Sequence, residues 1–261
     1  MIYSELQEAK ERGQKKFAVL IDPDKIEPQS LHKTIALALQ AKVDYFFIGG
    51  SLVVDDQLDF CVQTIKKDCN IPTILFPGST FQISFNADAI LFLSLISGRN
   101  PELLIGKHVI TAPYLHKSSL EVLSTGYMLV DGGVPTTVSY ISGTHPIPSN
   151  KPDIAVCTAM AGEMLGMKLL YLDAGSGAQQ PVTNKMVEAV SQNTNVPLIL
   201  GGGIRTPQTA YEKARAGADV IVVGNALEKS PNLVIELASA IHAAGDSNRK
   251  TSSFELNTNE H

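Results

Sequence analysis

Two glycine-rich stretches carry the most legible chemistry in this chain, Gly201-Gly202-Gly203-Ile204-Arg205 and Gly224-Asn225-Ala226. Each follows a short apolar run. Glycines there let backbone amides approach an anion, and a following helix would turn its positive end toward it. Such an end is worth roughly 0.3–1 kcal/mol per charge, and up to about 2 when partly buried. The pair predicts a phosphate grip; the bland reading is that the glycines only make tight turns. A second cluster, Asp22-Pro23-Asp24-Lys25, follows the run Phe17–Ile21. Asp22 offers the hard carboxylate oxygen that Mg²⁺ prefers, whereas Asp24 reads better as the cap of a helix starting near Pro28. Ser51, after Gly49-Gly50, supplies a hydroxyl either to a cation or to the next helix. A third cluster is Tyr171-Leu172-Asp173-Ala174-Gly175-Ser176-Gly177. Asp173 there orients or deprotonates a substrate hydroxyl, or else closes a turn. Asp131 is a rival acid. His145 is the histidine nearest a site by sequence, with an exposed loop position as the simpler reading. Arg205 contacts phosphate or forms a surface ion pair.

These residues need elements that bring them to one face. Eight apolar, β-rich runs recur: Phe17–Ile21, Asp44–Ile48, Pro72–Phe76, Ala89–Leu93, Tyr127–Val130, Leu169–Leu172, Pro197–Leu200 and Val220–Val223. Their near-continuous hydrophobicity suits parallel strands buried on both faces. Segments of helical period separate most of them, for example Ser30–Ala41, Gln57–Asp68, Thr183–Gln192 and Leu233–Ala243. Eight strand–helix units predict a single (β/α)₈ TIM barrel, whose active site forms at the C-terminal strand ends. No GxGxxG opens an early helix, which weakens a dinucleotide-binding alternative. Two irregularities stand out. Gly78–Asn86 is short for a third helix, and a long Gly- and Pro-rich segment follows strand 5, from Val130 to Ile154. The barrel is expected over residues 1–245. The polar stretch 246–261 is expected to be a disordered tail.

Length and composition agree. The chain has 261 residues, 44% of them hydrophobic, enough for one large core. A net charge of −5 and no basic run argue against nucleic-acid binding. Any anionic substrate must therefore be held by local amides, a metal or single cations. Cys61, Cys69 and Cys157 form no CxxC pair, so idle reduced thiols are expected. The N-terminus lacks a signal-peptide core, no apolar run is long enough to span a bilayer, and a cytoplasmic location is expected.

Taken together, FAVLIDPDK, FFIGGS, ILFPGS, LFLSLISGRNP, the GTHPIP loop, KPDIAVCTAMAGEMLGMKLLYLDAGSGA, LILGGGIRTP and DVIVVGNALE resemble the geranylgeranylglyceryl phosphate synthases. The resemblance runs from about Phe17 to Ala243. GGGIR alone is shared by many phosphate-binding barrels; the combination is specific. A related bacterial branch of the family uses longer prenyl donors.

The resemblance implies a prenyltransferase. The C3 hydroxyl of sn-glycerol 1-phosphate attacks C1 of geranylgeranyl diphosphate, and diphosphate leaves with Mg²⁺ assistance. It makes Asp22 and Ser51 the metal ligands. It assigns Tyr171, Leu172, Asp173, Ala174, Gly175, Ser176, Gly177, Gly202, Gly203, Gly224 and Asn225 to the glycerol phosphate, with Asp173 acting on the hydroxyl. It also implies a homo-oligomer and, because the product enters a membrane, transient membrane contact. Two positions depart from the family pattern. Many relatives carry Glu where Asp173 stands, and some carry Lys where Leu20 stands. Phe76, Phe81, Phe92, Leu93 and Tyr140 are candidates for the prenyl groove, Phe92 and Leu93 reading rather as core. Three rivals remain open: a phosphosugar isomerase using Asp22 and Asp131, a flavin-phosphate-binding barrel, and a non-catalytic phospholigand-binding barrel.

Overall fold

In a computed structural model, residues 1–25, 27–52 and 57–252 are described. Eight parallel strands close into a barrel in sequence order. They are β1 (Lys16–Ile21), β2 (Tyr45–Ile48), β3 (Thr73–Leu75), β4 (Ala89–Leu95), β5 (Glu121–Leu129), β6 (Leu169–Asp173), β7 (Leu198–Gly201) and β8 (Val220–Val223). The strands alternate between two cores, as their period of two requires. Tyr45, Phe47, Ile74, Leu91 and Tyr171 fill the barrel interior. Their neighbours Phe46, Ile48, Leu75, Leu172 and Leu200 pack outward beneath the helices.

The helices read from their residues. In α2 (Pro28–Ala41), Leu31, Ile35 and Ala38 recur at helical spacing and are buried, Pro28 sits in the first turn, and Lys42 ends the helix in the left-handed conformation. The helices α7 (Asn184–Asn193) and α8 (Pro207–Arg215) start on Thr183 and Thr206, whose hydroxyls accept from Met186 N–H and Thr209 N–H. The first helix, α1 (Ile2–Glu11), lies apart from the outer ring. Its Ile2 and Leu6 join the interior cluster, each burial worth about 1.5–3 kcal/mol. Glu121, at the start of β5, accepts from the N–H groups of Ile2 and Tyr3 at 2.6 and 3.0 Å. An acid at that end satisfies orphan amides and complements the helix dipole.

Both irregularities expected from the sequence are present. No helix follows β3: residues 77–88 run through turns to β4. The segment after β5 holds the short α5 (Thr137–Ser142) and a bridge pairing Val130 with Ile147 before α6 (Pro152–Met164) begins. Between β4 and β5 stand a π-helical turn (Glu102–Gly106) and α4 (Lys107–His116). The sequence reading had not marked this pair; Pro101 and Pro113 obscure its helical period. Outside this pair and α3 (Leu58–Asp68), the remaining helices are α9 (Asn225–Lys229) and α10 (Leu233–Ser252). The backbone of α10 runs on through residues 246–252, the first part of the stretch set apart in sequence as a polar tail. Residues 253–261 lie outside the described residues. None of the described helices is long and apolar enough to cross a membrane. The three cysteines are free thiols.

Candidate active site

The C-terminal strand ends open into a cavity of about 820 Å³. Asp173, the last residue of β6, points into it and is 7% exposed. Its Oδ2 accepts from the Tyr127 hydroxyl at 2.7 Å, and its Oδ1 accepts from Gly175 N–H at 2.7 Å. Burial pushes the Asp173 carboxyl above the ordinary carboxylate range, and these two donors pull it only part of the way back. Tyr127 and Tyr171 are held edge-on at 5.5 Å, and Phe76 stacks on Tyr171 at 5.2 Å. This aromatic floor fixes the carboxylate from below.

On one side of Asp173 lies an amide cradle. Gly175, Ser176 and Gly177 follow β6, Gly202 and Gly203 follow β7, and Gly224 and Asn225 follow β8; all line the cavity. The N–H groups of Gly177, Gly202 and Gly203 have no protein acceptor among the described residues. Gly202 must be glycine: its φ is +82°, and a Cβ would stand 2.7 Å from Asp173 Oδ1 and Gly175 N. Asn225 Nδ2 donates to Ser176 Oγ at 3.2 Å and ties two of the loops together. The short α9 begins at Asn225, the arrangement by which barrels hold phosphate.

The opposite side carries Asp22 and Ser51. Asp22 Oδ2 pairs with Lys25 Nζ at 2.6 Å, and Oδ1 accepts from Asp24 N–H at 3.3 Å. A Cβ on Gly50 would come within 3.1 Å of Asp22 Oδ1, so the loop bearing Ser51 is pressed against that carboxylate. One carboxylate and one hydroxyl facing a shared cavity make a hard-oxygen set that fits Mg²⁺ completed by waters and substrate phosphates. Among the described residues no three acidic, His or Cys groups cluster as a metal site.

From this end the cavity continues as an apolar groove through the gap left by the missing third helix. Ile83, Ile90 and Phe92, and from the segment between β4 and β5 Leu103, Thr111 and Leu115, line it. His108 on α4 lines it as well, edge-on to Phe92 at 4.3 Å, and burial pulls its pKa down.

Several sequence expectations change here. Leu172 and Ala174 do not line the cavity: alternation on β6 turns Leu172 into the helix-side core, and Ala174 borders a neighbouring depression. Asp24 does not cap α2, whose cap position is Glu27. Asp131 and His145 border the same depression as Ala174. Asp131 Oδ1 is engaged by Gly133 N–H at 2.9 Å. The isomerase reading needed Asp131 to face Asp22 across one cavity, and that arrangement is absent. Phe81 and Tyr140 are 93% and 89% exposed and stand outside the groove, whereas Phe92 and Leu93 line it. Arg205 lines the cavity, but among the described residues it pairs with no acid; its guanidinium donates to the carbonyls of Ala178 and Gln179.

Residues 9–242 match the model of the PcrB family. The chain belongs to the PcrB family. Among its relatives is the geranylgeranylglyceryl phosphate synthase of Chitinophaga pinensis, 59% identical over 93% of this chain and 96% of that protein. That of Spirosoma linguale is 54% identical over 90% and 95%. The crystal structure of (S)-3-O-geranylgeranylglyceryl phosphate synthase from Thermoplasma acidophilum, in complex with sn-glycerol-1-phosphate, superposes with a TM-score of 0.88. It is 33% identical and covers 93% of this chain and 99% of that one. In this PcrB-family barrel, Tyr127 and His108 are the site residues that sequence reasoning passed over. Tyr127 had a findable signal: it is the residue whose side chain faces inward one strand before Asp173, its register partner being Tyr171. His108 had none, because the helix carrying it was not marked.

Proposed function

We propose that this chain is a geranylgeranylglyceryl phosphate synthase. The C3 hydroxyl oxygen of sn-glycerol 1-phosphate bonds to C1 of geranylgeranyl diphosphate. The C1–O bond to diphosphate breaks and its electron pair leaves with the diphosphate. The hydroxyl proton passes to Asp173.

One observation carries this reading: a single cavity joins an amide cradle, a buried carboxylate and an apolar groove. The free amides of Gly177, Gly202 and Gly203 suit the acceptor's monophosphate. Asp173 stands at the step between phosphate and groove, where the acceptor hydroxyl must be oriented. Its elevated pKa makes it a better proton acceptor than an exposed aspartate. The aspartate is one methylene shorter than the family's usual glutamate, and Tyr127 and Gly175 hold it rigidly enough to serve. The groove walls take the prenyl tail and exclude water from C1. Asp22 and Ser51 would hold Mg²⁺, which when bound supplies positive charge to the diphosphate leaving group. Lys25, paired with Asp22, adds a second cation on that side. In the same reading the enzyme works in the cytoplasm as a homo-oligomer and touches membrane only to deliver its product. The exposed apolar side chains of Ile105, Val109, Ile110 and Tyr114 support association through the α4 region.

The test uses labelled sn-glycerol 1-phosphate, MgCl₂ and prenyl diphosphates of several lengths, followed by organic extraction. Label should enter the organic phase, most with the geranylgeranyl donor, and EDTA should abolish it. Label that never leaves water, despite acceptor binding, would make the protein a phospholigand-binding barrel instead.

A further inference from the structure

Gln82 lies behind the site, in the turn segment that replaces the third helix. It is 4% exposed and does not line the cavity. Its side-chain amide is spent on backbone. Oε1 accepts from Gly78 N–H at 3.1 Å and from Gly50 N–H at 3.4 Å, and Nε2 donates to Gly50 O at 3.0 Å. One side chain thus bridges the loop after β2 to the loop after β3. The two loops are in contact: a Cβ on Gly78 would stand 2.4 Å from Gly50 O and 2.9 Å from Ser51 Cα. Gly50 is in turn pressed against Asp22, as described above. A helix follows each strand in a regular barrel; after β3 that helix is missing, and the Gln82 side chain ties the two loops together.

We propose that Gln82 is a positioning residue for the diphosphate half of the site, acting through Gly50, Ser51 and Gly78 and not by touching substrate. This rests on the reading above that the Asp22–Ser51 side takes a magnesium-bound diphosphate. The acceptor half is braced independently, by Arg205 on Ala178 and Gln179 and by Asn225 on Ser176. Loosening that tie therefore acts on one half alone. A residue needed only for folding would weaken both halves together.

The experiment measures binding by calorimetry on the full chain, with inorganic pyrophosphate plus MgCl₂ as one probe and sn-glycerol 1-phosphate as the other. Gln82→Met keeps the length and loses all three bonds. Gln82→Asn keeps a neutral amide but withdraws it by one methylene, loosening all three bonds, and remains available should the Met variant fail to fold. The expected result is pyrophosphate affinity lowered about tenfold or more in Gln82→Met and less in Gln82→Asn, with sn-glycerol 1-phosphate affinity within about twofold in both. In turnover, KM for the prenyl donor should rise while that for the acceptor holds. Equal losses for both probes, or wild-type pyrophosphate binding in the variants, would overturn the proposal. If the wild-type protein itself binds no magnesium pyrophosphate, the assignment of that half fails first, and the role of Gln82 with it.

Discussion

The Tyr127 hydroxyl donates to Asp173 Oδ2 at 2.7 Å, across the β5–β6 seam inside the barrel. Few polar contacts here are so enclosed. The phenol is itself pushed well above its ordinary pKa, first by burial and then by the Asp173 charge, so it remains a donor at any working pH. The bond favours the ionised carboxylate in surroundings that otherwise disfavour it.

Removing that donor should make Asp173 harder to ionise. In Tyr127→Phe the acidic limb of the kcat/KM profile should move to higher pH, with the alkaline limb unchanged. Rates at a pH well above the limb should recover toward wild type. Steady-state profiles of both proteins check this; coincident acidic limbs would show that the phenol does not tune the base.

Arg205 makes a different prediction. Its two donated bonds hold the loop that carries Ser176 and Gly177. Charge-assisted bonds of this kind are worth about 1.5–3 kcal/mol, so Arg205→Ala should raise KM for sn-glycerol 1-phosphate by about tenfold or more, with little change in donor KM. Arg205→Lys should fall between, because an ammonium lacks the fork that spans two adjacent carbonyls.

The groove predicts donor selectivity. Thr111 faces it from α4. Thr111→Phe should fill part of the channel and shift the ratio of kcat/KM values toward shorter prenyl diphosphates by about tenfold or more. Competition between donors of two lengths in one reaction reads that ratio directly, and an unchanged ratio would place the tail elsewhere.

Acid sensitivity should trace in part to Asp44, far from the chemistry. It accepts from Phe17 N–H at 2.8 Å, Lys16 Nζ at 3.0 Å and His242 Nε2 at 2.9 Å. Burial pushes this carboxyl up, but His242, the Phe17 amide and Lys16 together outweigh it and hold it below the ordinary value of 3.8. A depressed folded pKa gives stability that is present above that value and lost as pH falls through the lower, folded one. Asp44→Asn should therefore lower Tm at neutral pH by several degrees and flatten the decline in Tm below about pH 4. Thermal denaturation across pH 2.5–7 (roughly the window set by those carboxylates) measures both.

How far the sequence carried depended on whether a signal was local. Strands buried on both faces leave continuous apolar runs, and each of the eight left one; β5, however, starts at Glu121, six residues before the run at Tyr127, because Ser124, Thr125 and Gly126 interrupt its apolar pattern. The loops after β6, β7 and β8 advertise themselves by glycine, so the cradle was readable too. Helix α4 was not, because Pro113 stands inside it and its residues are sorted between groove and surface instead of a simple core face. Asp131 and Asp173 look alike in sequence, each at a strand end with a glycine within two residues. What separates them is the direction of the backbone: Asp173 ends β6 pointing inward, while Asp131 follows the bridge at Val130 and turns into the outer depression. Gln82 carries no signal at all, since its role exists only once two distant loops meet.

The missing helix after β3 makes the enzyme's tolerance lopsided. In the proposed reading the acceptor would sit among loops that approach from three strand ends, and enlarging it would require all three to retreat at once. The donor tail would leave through the gap after β3, where a change of length would leave the reacting atoms undisturbed. Divergence within such a barrel should accumulate in the tails it accepts, while the headgroup it builds on stays fixed.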